Sequence, residues 1–363
     1  MKTTGIIVEY NPFHNGHLHH INEALRLTDA DLLIACMSGN FNQRGDISII
    51  NKYEKTKAAL DHGVDLVIEL PYICTVQNAY VFGQSAVSLL AKAGITSLVF
   101  GSETNNLEEL KKYAKLEVDV TRLKELMHDG NSFPHSYGLL SGSLYPNDML
   151  AVTYLKALKD TAIEPVCIQR TNDYLSKDLS IIASASAIRQ AVEEGKDVSM
   201  ATPIHMEEPL FNKDLYPYLR KLLFTTSSEE LRQIFLMSEG IENMLKKNAV
   251  IYDNYEDFIN ASISRRYTRS RIQRTLLHLA CHIKKEDVKD LPAPNYLRVL
   301  GFNQKGRQYL KQIKEERNIV TLFKNIPEPY KSIEYKSDLL YASLLKDPSA
   351  YIKRQLEGPV IVK

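Results

Sequence analysis

The sequence predicts an α/β protein: a Rossmann-like, doubly wound parallel sheet followed by a mainly α-helical domain. Three observations carry this. Over the first 200 residues, short apolar runs alternate with helix-periodic stretches. That alternation breaks at EEGKDVSMATPIHMEEP, residues 193–209. The charge also changes sign there. Residues 1–200 hold 18 Lys+Arg against 24 Asp+Glu, a balance of −6, and residues 201–363 hold 27 against 20, a balance of +7, within a net charge of +1. A length of 363 residues suits two domains. We therefore divide the chain into residues 1–200, the sheet-forming unit, and residues 201–363, a basic helical unit.

The expected strands are Gly5–Tyr10, Leu32–Ser38, Val64–Leu70, Ser97–Glu103 and Pro165–Arg170. Most are continuously apolar, as in parallel strands covered on both faces. Helical patterns at His17–Thr28, Lys52–His62, Ala79–Ala93 and Met149–Lys159 separate them. Strands alternating with helices imply βαβ units, and right-handed crossovers lead to a doubly wound sheet. Beyond the break, Leu215–Phe224, Ser228–Leu236, Ile241–Lys247, Tyr255–Ile263, Ser270–Ile283, Gln304–Lys314 and Tyr335–Leu345 read as helices.

With 44% hydrophobic and 25% charged residues, the chain can build a core and is not of disordered composition. No apolar run approaches the roughly 20 residues of a membrane span. The N-terminus reads as a strand and not as a signal peptide, so no membrane partner and a cytoplasmic location are expected. The four cysteines are at least 38 residues apart, which argues against a disulfide framework or a zinc site and for reduced thiols. No protein-held metal is expected.

Ligands of doubly wound sheets bind beyond the carboxyl ends of the strands. There the first strand is followed by Asn11-Pro12-Phe13-His14-Asn15-Gly16-His17. Two histidines three apart at a helix start point their rings the same way. Gly16 lets a ligand approach the backbone. The helix N-terminus supplies free N–H groups suited to phosphate. His14 and His17 can then donate to phosphate oxygens as charge builds during displacement at phosphorus. The competing reading is a pair of capping or solvated histidines.

HNGH after a first strand resembles the HxGH signature of the nucleotidyltransferase and class I tRNA-synthetase superfamily. Ser184-Ala185-Ser186-Ala187-Ile188-Arg189 resembles the S-x-S/T-x-I-R motif that closes the site there. Ser186 is expected to cap the next helix, its hydroxyl and Arg189 facing the phosphates. The resemblance widens along the chain. GIIVEYNPFHNGH, MSGNFNQRGD, KYEKTKAAL, DLVIELP, FGSE, PNDMLAVTYLKAL, ASASAIR, RRYTRSRIQR and YLRVLGFNQKG occur in this order. Together, over roughly residues 5–310, they resemble the bacterial tRNA(Met) cytidine acetate ligase family. The stretch Tyr137–Pro146 is shorter than the family's connection there.

The resemblance implies activation of acetate by ATP to acetyl-adenylate. The acetyl group then passes to N4 of the wobble cytidine of elongator tRNA(Met), giving N4-acetylcytidine. It places ATP along Ile7, Val8, Glu9, Tyr10, Asn11, Pro12, Phe13, His14, Asn15, Gly16, His17, Leu18, His19 and His20, with Gly101, Asn147 and Arg170 as further contacts. Ser38, Gly39, Asn40, Gln43 and Arg44 would line the adenylate or cytidine pocket. Mg²⁺ would arrive with the triphosphate, which needs no carboxylate cage.

Residues 258–285 contain no acid but hold Arg265, Arg266, Arg269, Arg271 and Arg274, with Tyr267 among them. A second acid-free stretch, 291–311, holds Arg298, Lys305 and Arg307 with Tyr296 and Phe302. Such runs suit phosphate contact and base stacking, or a solvated face over core aromatics. Two other functions share the histidine turn: an adenylyltransferase for a small metabolite, and a non-catalytic RNA-binding protein. The basic second half favours an RNA substrate over the metabolite. Oligomeric state is not legible.

Overall fold

A computed structural model gives the fold, describing every residue except 118, 130, 132–135, 137, 141, 143 and 171–182. Part of the shortened 137–146 connection lies outside the described residues. Five parallel strands form as expected: β1 (Thr3–Val8), β2 (Leu32–Ser38), β3 (Leu66–Leu70), β4 (Ser97–Ser102) and β5 (Glu164–Gln169). All seven residues of β2 are buried, which is why its run is uninterruptedly apolar. Helices Asn15–Thr28, Lys52–Asp61, Ala79–Ala93 and Pro146–Leu158 lie between the strands.

The second half is mainly helical, with helices including Asn212–Thr225, Ile241–Ile251, Tyr255–Ser262, Arg269–Ala280, Tyr330–Ala342 and Pro348–Leu356. It differs from expectation in returning to the sheet. Three further strands, β6 (Leu297–Phe302), β7 (Ile319–Val320) and β8 (Val360–Ile361), complete an eight-stranded sheet of order β5-β4-β1-β2-β3-β6-β7, with β8 on β6. β6 runs antiparallel to β3, pairing Leu66 with Phe302 and Val67 with Gly301. A Cβ on Gly301 would lie 2.8 Å from the Val360 carbonyl oxygen and 2.5 Å from Thr56 Cγ2, so only glycine admits this three-way approach. Tyr296 and Arg298, expected on an RNA-facing surface, are therefore buried. The cause is the apolar run LRVLGF around the arginine. Apolar residues from both sides of residue 200 share one buried cluster. The expected division at 200 does not separate two cores.

A buried ionic knot joins the two halves. Lys52, 1% exposed, donates 2.8 Å hydrogen bonds to Glu69 of β3 and to Asp338 of helix Tyr330–Ala342. Burial opposes its charge, but Asp338 and Glu69 prevail and hold the ammonium well above the usual lysine range. Arg298 of β6 approaches Glu69 at 4.0 Å. Tyr351 and Gln355 of helix Pro348–Leu356 also donate to Asp338. Truncating one member of such a set leaves buried charge uncompensated. We expect Lys52→Ala to lower the unfolding free energy by about 3–5 kcal/mol. Chemical denaturation checks this, and an unchanged midpoint would refute it.

Candidate active site

The strand order reverses between β1 and β4. From β1 the sheet continues to β2 and β3 on one side, and β4 and β5 lie on the other. The crevice at such a switch point is where open α/β sheets hold ligands. A cleft opens there, with Glu9, His14, His17, Gly101 and Arg170 among its walls.

Its geometry starts at the turn after β1. Tyr10 takes a left-handed φ of 48°, uncommon for a non-glycine residue. The strained residue is fully buried, its ring edge-on to Phe13 at 4.9 Å and to His17 at 4.8 Å. The chain then enters helix Asn15–Thr28 through a reciprocal cap. His14 Nδ1 accepts the Gly16 N–H at 3.0 Å, and His17 Nδ1 accepts the His14 N–H at 3.2 Å. The two rings stack with centroids 3.8 Å apart. Each Nδ1 must carry a lone pair to accept, so each neutral ring bears its proton on Nε2.

Burial, followed by Arg170 and Arg189, lowers the His14 pKa to about 4. Burial and then His14 push His17 well below the ordinary range. Burial also brings His20, whose ring nitrogen meets the Val99 carbonyl at 3.3 Å, down to about 4. At neutral pH the cleft thus presents uncharged imidazole donors at a helix N-terminus free of acidic residues.

Of the stretch expected to hold nucleotide, Ile7, Val8, Glu9, Tyr10, Asn11, His14, Gly16, His17, His19 and His20 line the cleft. Pro12, Phe13, Asn15 and Leu18 do not. Phe13 turns into the core, and Asn15 donates to the Met200 carbonyl at 2.9 Å. Gly101 and Asn147 are present in the wall. A Cβ on Gly101 would approach Arg170 Cγ at 3.2 Å.

The turn after β4 and helix Pro146–Leu158 hold each other. Glu103 accepts from Asn147 Nδ2 at 2.6 Å and from the Asp148 N–H at 3.1 Å. Asp148 in return accepts the Ser102 hydroxyl and the Glu103 N–H. This exchange is what sets FGSE and PNDM side by side.

Ser184, Ser186 and Arg189 reach the cleft from helix Ala185–Glu193. The cap of that helix is Ser184, which accepts the Ala187 N–H at 3.1 Å, and not Ser186 as the motif suggested. Ser186 instead places its hydroxyl 3.0 Å from that of Ser184. Arg189 ties the helix to the histidine turn by donating to the Asn11 carbonyl at 2.7 Å.

The segment after β2 divides. Gln43 and Arg44 line the cleft, whereas Ser38, Gly39 and Asn40, expected in the pocket, do not. Lys55 donates to the carbonyls of Glu9, Ser38 and Gly39, at 2.8, 2.9 and 2.6 Å, pinning the ends of β1 and β2. Asn40 donates to Asp338 and Tyr351 and accepts the Lys52 N–H. The Gln43 N–H donates to Glu9 Oε1 at 2.7 Å. Burial raises the Glu9 pKa. Asn42, Asp46 and Gln169 also line the cleft and were not singled out from sequence. Asn42 and Asp46 lie in the quoted NFNQRGD run, and their position after a strand end was the available signal.

The arginine-rich run is more heavily partnered than its lack of acids implied. Arg269 makes a two-pronged pair with Glu256 at 2.6 and 2.8 Å, and Arg271 pairs with Glu239 at 2.8 Å. Tyr267 is buried beneath Arg271, with its hydroxyl on the Glu239 carbonyl. Arg274 donates to the Gln43 carbonyl at 3.2 Å, and burial lowers its pKa to about 10. Arg265 is exposed and Arg266 half-buried. Cys36, Cys74 and Cys281 are buried free thiols, and Cys167 is half-buried. Among the described residues, no group of three or more His, Cys, Asp or Glu is placed to hold a metal ion, and no helix is long and apolar enough to cross a membrane.

A switch-point cleft whose first helix is capped by two donor imidazoles defines a nucleotidyl transferase site. The chain belongs to the HIGH nucleotidyl transferase family, whose model matches residues 1–356. Its relatives in that family include proteins named tRNA(Met) cytidine acetate ligase. The Oceanobacillus iheyensis protein is 36% identical with all of both chains covered, and the Acetivibrio thermocellus protein is 37% identical with 89% of this chain and 88% of its own covered. Among solved structures, apo Thermotoga maritima TmcAL matches over the whole of both chains with a TM-score of 0.90 and 28% identity. The same protein bound with alpha-thio ATP matches over the same extent with a TM-score of 0.84 and 29% identity.

Proposed function

We propose that this chain uses ATP to activate acetate as acetyl-adenylate and transfers the acetyl group to N4 of the wobble cytidine of elongator tRNA(Met), forming N4-acetylcytidine. The observation that carries the reading is the pair of Nε2–H donors at the switch-point cleft, in a chain similar along its full length to named tRNA(Met) cytidine acetate ligases. The alpha-thio ATP complex of a similar protein supports ATP as the nucleotide.

In this mechanism one acetate oxygen attacks the α-phosphorus in line, and pyrophosphate leaves. His14 and His17 donate to phosphate oxygens where charge accumulates, while Arg170 and Arg189 add positive charge and Ser186 a hydroxyl. These groups already face the cleft, so little reorganisation is needed. Gly101 leaves room for the adenosine beside Asn147. Mg²⁺ rides on the triphosphate. The exocyclic amine of cytosine then attacks the acetyl carbonyl, and AMP departs. This reaction belongs in the cytoplasm, with ATP and tRNA.

Incubating the protein with ATP, isotopically labelled acetate and tRNA, followed by nucleoside mass spectrometry, tests the reading. Labelled N4-acetylcytidine is the expected product, and transfer of AMP to a small metabolite in its place would overturn it. We expect His14→Ala and His17→Ala each to slow acetate-dependent ATP–pyrophosphate exchange by about 10²–10³-fold. tRNA affinity should stay within about twofold, because the rings are assigned to the triphosphate and RNA affinity to the cationic side chains. Full exchange in both variants would refute the assignment.

Protonation gives a second expectation. The ligand-free rings resist protonation down to about pH 4 for His14. Protonation would take the Nδ1 lone pair that each cap bond uses, so ATP should bind the neutral rings. ATP binding should therefore show no histidine titration at neutral pH and should weaken only as the pH falls toward about 4, where His14 protonates. Calorimetry in buffers of different ionisation enthalpy checks this, and proton uptake at neutral pH beyond that of ATP itself would contradict it. For the RNA, Arg265→Ala and Arg266→Ala should each weaken tRNA binding and reduce its salt slope by about one unit. An unchanged slope would mark both as ordinary surface charges.

A further inference from the structure

A second cleft adjoins the first. Its volume is 440 Å³, and it shares Arg44, Asp46, Ser186 and Arg189 with the nucleotide cleft. Its far wall comes from the second half of the chain and includes Asn212, Tyr255, Ser270 and Gln273. A space of this size takes a single nucleotide and not a duplex, and it meets the nucleotide cleft along those four shared residues. A reaction joining a base to an activated acyl group needs two such approaches meeting at one wall.

Asp46 stands on that wall. Its Oδ1 accepts from Asn212 Nδ2 at 2.8 Å and from Gln273 Nε2 at 2.9 Å. Both donors are neutral amides, and Asp46 makes no ion pair among the described residues. Its carboxylate is thus oriented from one side by two amides, with Arg269 near enough to feel its charge but not in contact. The turn carrying it is fixed as well. Gly45 adopts φ +87°, and a Cβ there would lie 2.5 Å from the Arg274 backbone nitrogen. Helix Arg269–Ala280 therefore seats the turn backbone directly.

We propose that the second cleft admits the unstacked acceptor cytosine, and that Asp46 binds its exocyclic amine and takes up the amine proton during acetyl transfer. This rests on the acetate-ligase reading. Cytosine offers an N4–H₂ donor, and a carboxylate is the acceptor that suits it. Extrusion of the base from the anticodon loop makes that edge accessible. In the transfer step the N4 lone pair forms the N–C bond to the acetyl carbonyl. The bond from that carbon to the adenylate oxygen breaks, and AMP leaves with the electron pair. The amine proton passes to Asp46, which later releases it to solvent. No other co-reactant is required.

The test separates the two half-reactions: acetate-dependent ATP–pyrophosphate exchange, and single-turnover transfer from acetyl-adenylate to tRNA. We expect Asp46→Asn to slow transfer by about 10²–10⁴-fold with far less effect on exchange, and Asp46→Glu to restore much of the transfer rate. Ser270→Trp, which fills the second cleft away from the carboxylate, should also depress transfer selectively. Transfer at the original rate in Asp46→Asn overturns the role of Asp46. Equal loss of exchange and transfer in Asp46→Asn overturns it too, because it assigns the residue to the architecture of the site. Undiminished transfer in Ser270→Trp overturns the route. If the unaltered protein shows no acetate-dependent exchange, the acetate-ligase reading itself has failed, which is a different result from any of these.

Discussion

The whole site depends on a reciprocal hydrogen bond between two imidazoles and the backbone of one helix start. Each ring gives its Nδ1 lone pair to an N–H that the helix would otherwise leave unsatisfied. That bond settles the tautomer and, with it, the one donor each ring has left for a ligand. Helix stability and ligand chemistry are one interaction here. A ring lost from the cap is also lost from the cleft. Burial of Tyr10 and Phe13 beneath the rings holds the turn in its left-handed geometry, so the core bears the strain of the site.

Two buried lysines set the other wall. Lys55 gathers three carbonyls at the ends of β1 and β2, and Lys52, one turn earlier on the same helix, locks that helix to β3 and to the C-terminal helices. Between them they position Asn40 and hence the segment that carries Gln43 to Asp46 into the cleft. The catalytic surface is thus tensioned from residues near 340. None of these C-terminal residues lines the cleft.

How much of this could be read from the sequence depended on the range of the forces involved. The five parallel strands were legible because burial on both faces demands continuous apolar runs. The histidine turn was legible because its chemistry lies within four residues. β6 was obscured by Arg298, whose charge drew attention away from the apolar LRVLGF around it. Ser38, Gly39 and Asn40 were expected in the pocket, because nothing local reveals that Asp338, 298 positions from Asn40, would claim the asparagine. The arginine run looked unpaired because Glu256 comes from a neighbouring helix and Glu239 from the turn before helix Ile241–Ile251. Ser184 and Ser186 are equivalent by composition, and only the entry angle of the helix selects the capping one.

The antiparallel seat of β6 on β3 has a consequence for biogenesis. A nascent chain completes β1 through β5 well before residue 297 leaves the ribosome. Until then one flank of the sheet presents unsatisfied backbone groups to any passing strand. Lys52 and Glu69 are meanwhile without Asp338. Long-range closure of this kind is slow, and its intermediates are prone to association. The last 67 residues thus act as a tether that seals the sheet, and a ribosome stalled shortly before them would release an adhesive, unsealed nucleotide fold.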